Sequence, residues 1–235
     1  MSMLQSTRAI RRAKPVQRVL YVADLISTIV GKTAAWLIIA LMTVVVIEVF
    51  KRYLFNAPTA WIFDLNNMLY GTVFMLCGAY TLAQNAHVRG DFLYGSFKPR
   101  TQATLDLILY VVFFLPGIGA LVYAGLHYAQ DSWRILEHSN VTADGPPVYP
   151  FKTVIPIAGV LVLIQGLAEM LRCVVCLKSG VWPPRLKDVA ELDVIEEQLA
   201  NSEYVDEDTR KAAIARAHAI DETARQRGMG GDLNT

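Results

Sequence analysis

The sequence predicts an all-α integral membrane protein with four transmembrane helices, and three observations predict it. Hydrophobic residues make up 54% of the 235 and charged residues 18%, below the roughly 25% of an ordinary soluble domain. The apolar residues gather in four runs, each long enough to cross a hydrocarbon core of ~30 Å as a helix rising ~1.5 Å per residue. Those runs hold almost no ionisable groups, which soluble core helices rarely sustain over such lengths.

Residues 1–32 are basic: Arg8, Arg11, Arg12, Lys14, Arg18 and Lys32 stand against Asp24 alone. Between residues 15 and 32, Val19, Leu20, Val22, Ala23, Ile26, Ile29 and Val30 recur at helical spacing. That pattern fits an amphipathic N-terminal helix at the cytoplasmic interface, or a plain cytoplasmic extension of the first span. The first span covers about 33–53. It reads as a retained helix, because the apolar run is too long for a signal peptide and leads into Glu48-Val-Phe-Lys-Arg52 without a cleavage site.

The second span, about 65–86, has no ionisable residue, and the third, about 107–129, has only His127. The fourth, about 153–177, carries Glu169 and Arg172 near its end. These four form a transmembrane domain over 33–177. Pro116-Gly117 and Pro156 fall inside the third and fourth spans and predict kinks. Pro183-Pro184 then stops the helix. Residues 178–235 follow as a charged, acidic helical tail, with twelve acidic and seven basic residues from 185 onward. Val189, Leu192, Ile195 and Leu199 form one apolar stripe there, and Asp206-Glu207-Asp208 suits the start of a second helix.

Lys and Arg counts orient the spans. The N-terminus has Arg8, Arg11, Arg12, Lys14 and Arg18, the second loop Arg89, Lys98 and Arg100, and the region after the fourth span Arg172, Lys178, Arg185 and Lys187. The first and third loops hold only Lys51 and Arg52, and Arg134 and Lys152. Both termini are therefore expected in the cytoplasm.

The polar residues read as structural. Glu48 precedes Lys51 and Arg52 by three and four residues, which predicts an ion pair closing the outer end of the first span. Glu169 and Arg172 predict a similar pair at the inner end of the fourth. Asn66, Asn67 and Gln165 suit hydrogen bonds to neighbouring helices, and Gly71, Gly78 and Ala79 suit close helix approach. A shared haem is excluded, because His87 and His127 fall about 20 helical residues, or ~30 Å, apart in depth. Cys173-Val-Val-Cys176 has redox spacing but lacks the second pair that a zinc site needs. No nucleophile elbow or mid-membrane carboxylate pair is present, so no enzyme, cofactor or metal is expected. The net charge of +1 gives no field for nucleic acid.

The stretch Arg52-Tyr-Leu-Phe55, Trp61, Gly78-Ala79-Tyr80 and His87-Val88 resembles the small membrane subunit of tripartite ATP-independent periplasmic (TRAP) transporters, the DctQ-like family. The resemblance covers about 33–177. Members often carry two adjacent Glu just after the Trp. This chain has Ile62-Phe63-Asp64, leaving one carboxylate. The acidic tail also exceeds the short ending of typical members.

The resemblance implies a multi-pass protein of the bacterial inner membrane. It implies a large permease subunit (DctM-like) that carries substrate, a periplasmic binding protein that delivers an organic acid, and uptake driven by an ion gradient, usually sodium. It places Arg52, Tyr53, Trp61, Asp64, Gly78, His87 and Arg89 in membrane anchoring and subunit contact. Asp64 is expected to cap its helix, or to pair with Arg52 or the large subunit. A self-sufficient small transporter or channel, and a membrane scaffold without a transport role, are the competing readings.

Overall fold

A computed structural model describes residues 15–85, 94, 96–142, 145–200 and 207–227. Seven α-helices and one π-turn make up the regular structure of these residues: α1 Pro15–Leu54, α2 Ile62–Ala83, α3 Pro99–Leu109, the π-turn Tyr110–Phe114, α4 Leu115–Arg134, α5 Tyr149–Ser179, α6 Leu186–Ala200 and α7 Glu207–Arg227. The only β pairing among them is an isolated bridge between His138 and Pro147.

Three helical runs are long and apolar enough to cross a membrane: α1, the run from Pro99 to Arg134, and α5. The expected second span forms α2, of 22 residues. It stays outside that set, because Asp64, Asn66, Asn67, Thr72 and Thr81 dilute its hydropathy.

Residues 15–32 correct one expectation. They are the start of α1, unbroken through residue 33, so the extension forms and no separate amphipathic helix does. Their buried face is mixed: Asp24, Ser27 and Thr28 are buried beside Leu20, Tyr21 and Ala23, while Val16, Val19, Val22 and Ile26 face outward.

Helix ends follow local chemistry. Asn56 and Asn85 adopt positive φ after α1 and α2, the left-handed conformation that Asn tolerates. Gly180 does so after α5 (φ 79°), and its N–H bonds the Cys176 carbonyl at 2.7 Å. Asp188 accepts the Arg185 N–H at 2.9 Å and closes the first turn of α6 just after Pro183-Pro184. A π-turn lies immediately before Pro116, the irregularity at which helices commonly bend.

The described residues fall into two compact units. One comprises Ile26–Leu82 and Phe113–Gln165. In it α5 is the shared partner. Gln165 of α5 accepts the Ser27 hydroxyl of α1 at 2.9 Å, with both residues buried. Gly71 of α2 meets Phe151, and Gly125 of α4 meets Ile155 and Pro156. Gly159 of α5 lies against Val122 of α4. Between α1 and α2 the closest approach is at Gly31, where an added Cβ would lie 2.4 Å from the Tyr80 Cβ.

The other unit comprises the described residues within Met1–Leu25, Ala83–Val112 and Gly166–Thr235. Leu20 and Ala23 of α1 pack on Ala168 of α5. Ala103 of α3 packs on Cys173 and Cys176, flanked by Leu107, Tyr110 and Trp182. Gln102, wholly buried, donates to the Tyr94 and Phe97 carbonyls and accepts from the Trp182 indole. In the first unit Trp36, Phe74 and Phe113 lie outside, each at least 70% exposed, and in the second Val19, Ile108 and Leu109 are exposed, while Glu48, Asp64, Glu169 and Arg172 are buried. That polarity suits surroundings of lipid rather than water.

Candidate anchoring and subunit-contact sites

The first candidate site lies where α1 ends and α2 begins. Glu48, buried, takes the Arg52 guanidinium at 3.2 Å, as its spacing predicts. The same carboxylate oxygen accepts the Thr59 backbone N–H at 3.0 Å, and Lys51 donates to the Thr59 hydroxyl at 2.6 Å. Two cations and one carboxylate of α1 thus hold the α1–α2 loop through a single threonine. Tyr53 is 76% exposed, and Trp61 and Phe63 are also exposed beside this loop.

Asp64, in the first turn of α2, is buried and accepts the Thr142 hydroxyl at 2.5 Å. The partner is therefore a residue of the α4–α5 loop. The Arg52 guanidinium bonds Glu48 instead. The same loop is closed by Val148 N–H to the Glu137 carbonyl (2.9 Å) and Ser139 N–H to the Pro146 carbonyl (3.0 Å). Lys152 of α5 pairs with Glu137 and sits 4.0 Å over the Tyr128 ring. The Lys152 hydrogen bond holds the Glu137 carboxyl below the usual carboxylate range.

Gly78 faces Val162 of α5 with room for a methyl group, since an added Cβ would meet it at 3.5 Å. Gly31 and Gly71 are the tighter contacts of α2 with its neighbours. His87 and Arg89 lie outside the described residues.

The second candidate site is a buried ion network that sequence spacing shows only in part. The Glu169–Arg172 pair forms as expected on α5. Arg172, wholly buried, also donates to Asp24 of α1 at 2.5 Å. Arg185 donates to both oxygens of Glu169 at 2.8 Å each. Asp24 and Arg185 are the members that sequence reasoning missed. Asp24 interrupts an apolar helical pattern, which was the available signal for a buried countercharge. Arg185 gives no such signal, because its chain partner lies across the Pro183-Pro184 turn. Burial pushes the nearby Asp188 carboxyl up.

Chemically, both sites fasten helix to helix and helix to loop. Among the described residues no group of three or more His, Cys, Asp or Glu side chains is arranged to hold a metal.

Comparison with known proteins supplies the family. The profile for the DctQ component of tripartite ATP-independent periplasmic transporters matches residues 41–176, more than half of the chain. No curated protein matches the sequence. The matched residues contain Arg52, Tyr53, Trp61, Asp64 and Gly78 together with Glu169 and Arg172, and the chain belongs to the DctQ family, the small membrane subunit of TRAP transporters.

Proposed function

We propose that this subunit is the stationary scaffold of a TRAP-type secondary transporter in a bacterial inner membrane. In this reading it has four spans, with α2 counted as the second, and both termini in the cytoplasm. It anchors a large DctM-like permease subunit that carries substrate. A periplasmic binding protein delivers an organic acid, and an ion gradient, usually sodium, drives uptake. Arg52, Tyr53, Trp61, Asp64, Gly78, His87 and Arg89 serve depth anchoring in lipid and contact with the large subunit.

One observation carries this reading: the direction of the polar groups. Buried Ser27, Asp64, Gln165, Glu169 and Arg172 bond to other helices or loops of this chain. The outward faces of α1 and α2 instead present Trp36, Met42, Val46, Phe50, Tyr70 and Phe74. Polar groups engaged in holding helices, beneath broad apolar and aromatic faces, suit a scaffold seated in lipid against a larger membrane partner.

The test is reconstitution into proteoliposomes. The large subunit and binding protein, with this chain present, should give sodium-dependent uptake. Omitting this chain should abolish uptake and destabilise the large subunit. Flux through this chain reconstituted alone would refute the scaffold reading in favour of a self-sufficient transporter.

A further inference from the structure

Within the Asp24–Glu169–Arg172 set of the second site, the second cation comes from the C-terminal segment. Asp24, Glu169 and Arg172 are at least 97% buried, and together they carry two negative charges and one positive. Arg185 supplies the missing cation from beyond Gly180 and the Pro183-Pro184 turn. Asp24 and Arg185 both lie outside the matched stretch 41–176, while Glu169 and Arg172 lie inside it. The two flanks therefore complete a charge set that begins in the membrane helix α5.

The docking contact is specific. Besides its two bonds to Glu169, Arg185 donates to the Ala83 carbonyl at the end of α2 and to the Asn85 side chain, at 3.3 Å each. The next residue, Leu186, is buried, and its N–H bonds Asp24 at 3.2 Å. Two consecutive residues thus touch α1, the end of α2 and α5. The hairpin behind them brings its own balanced pair, since buried Asp221 is bonded to Arg225 within α7. His218 of α7 reaches Glu196 of α6 at 2.8 Å.

We propose that residues from Arg185 onward act as an intramolecular ligand whose docking neutralises the Asp24–Arg172–Glu169 set. The ends of α1, α2 and α5 lock together only when this segment has bound. Leaving a buried charge uncompensated is far more costly than removing a balanced pair. The segment is therefore a completion check on the folded subunit, and this holds independently of what the transporter carries.

The test uses the full chain in lipid nanodiscs, with Arg185→Gln, Glu169→Gln and the double variant. Each single change leaves the set with one unmatched charge, and the double change leaves the balanced Asp24–Arg172 pair. Each single variant should lower the thermal midpoint by about 5 °C or more. Amide exchange across Leu186–Ala200 should speed up about tenfold or more. The double variant should recover most of both. If a single variant cannot be purified, a folded double variant supports the proposal. Single variants within about 2 °C of the parent with α6 still protected would overturn it, as would a double variant no better than either single.

Discussion

Thr142 of the α4–α5 loop donates its hydroxyl to Asp64 of α2 at 2.5 Å, a bond that bridges 78 residues of sequence. The acceptor is buried, so removing the donor strands a carboxylate away from water. Thr142→Val should cost about 1–3 kcal/mol in thermal unfolding and make residues 136–148 more sensitive to protease. Asp64→Ala should release the loop in the same way. It should also lower co-purification with the large subunit and uptake. Unchanged assembly and uptake in both Asp64→Ala and Arg52→Ala would remove these residues from the subunit contact.

Glu48 and Arg52 form one ion pair but are not equivalent partners. Glu48 is buried and also accepts the Thr59 N–H, while the Arg52 side chain is 55% exposed. Glu48→Ala should lower the thermal midpoint more than Arg52→Ala, because the part-buried Thr59 N–H loses its acceptor and Arg52 its partner. Arg52→Ala should cost less than about 1 kcal/mol in the isolated chain, as exposed pairs do. Equal losses in thermal unfolding would show that the ion pair, not the loop bond, is what stabilises this end of α1.

The glycines divide by the space around them. Gly31→Ala would place a methyl group against the root of the Tyr80 side chain, which cannot swing away. It should destabilise by about 1–3 kcal/mol through forced separation of α1 from α2. Gly78→Ala meets only the Val162 methyl at van der Waals distance. Alanine's helix propensity should make it neutral, or more stable by up to about 1 kcal/mol. Thermal midpoints of the two variants in one detergent would decide.

The pair of Glu137 with Lys152 gives an acid-side prediction. Its folded carboxyl titrates below the ordinary Glu range, so its stabilisation is present above that range. It is lost as the pH falls below the ordinary Glu range and through the depressed value. Glu137→Gln should flatten the stability profile in that window and leave the neutral region little changed. A profile of the variant that falls as steeply as the parent's would assign the acid loss elsewhere.

Sequence spacing reveals interactions within one helix. Glu48 with Arg52, and Glu169 with Arg172, are visible because three or four residues bring side chains onto one face. It does not reveal partners brought by tertiary packing. Asp24 lies 148 residues from Arg172, and Thr142 lies 78 from Asp64. The apolar runs fix where long helices form, but not where they end: α1 begins at Pro15, because helical residues continue past Lys32 without a breaker. Outward valines there look like one stripe of an amphipathic helix, and only the packing shows that Asp24, Ser27 and Thr28 lie on the buried side with Leu20 and Ala23. The small residues point correctly to close helix contact, yet which glycine is tight depends on Tyr80 and Phe151 opposite.

The π-turn at Tyr110–Phe114 has an angular consequence for α4. A π-turn contains one residue more than an α-turn, so every later side chain is rotated by about 100° from where an unbroken α-helix would aim it. Deleting a single residue between Tyr110 and Phe114 should turn this stretch into plain α-helix and shift the phase between α3 and α4 by one residue, and inserting one residue nearby should restore the phase, with thermal stability lost in the first variant and regained in the second.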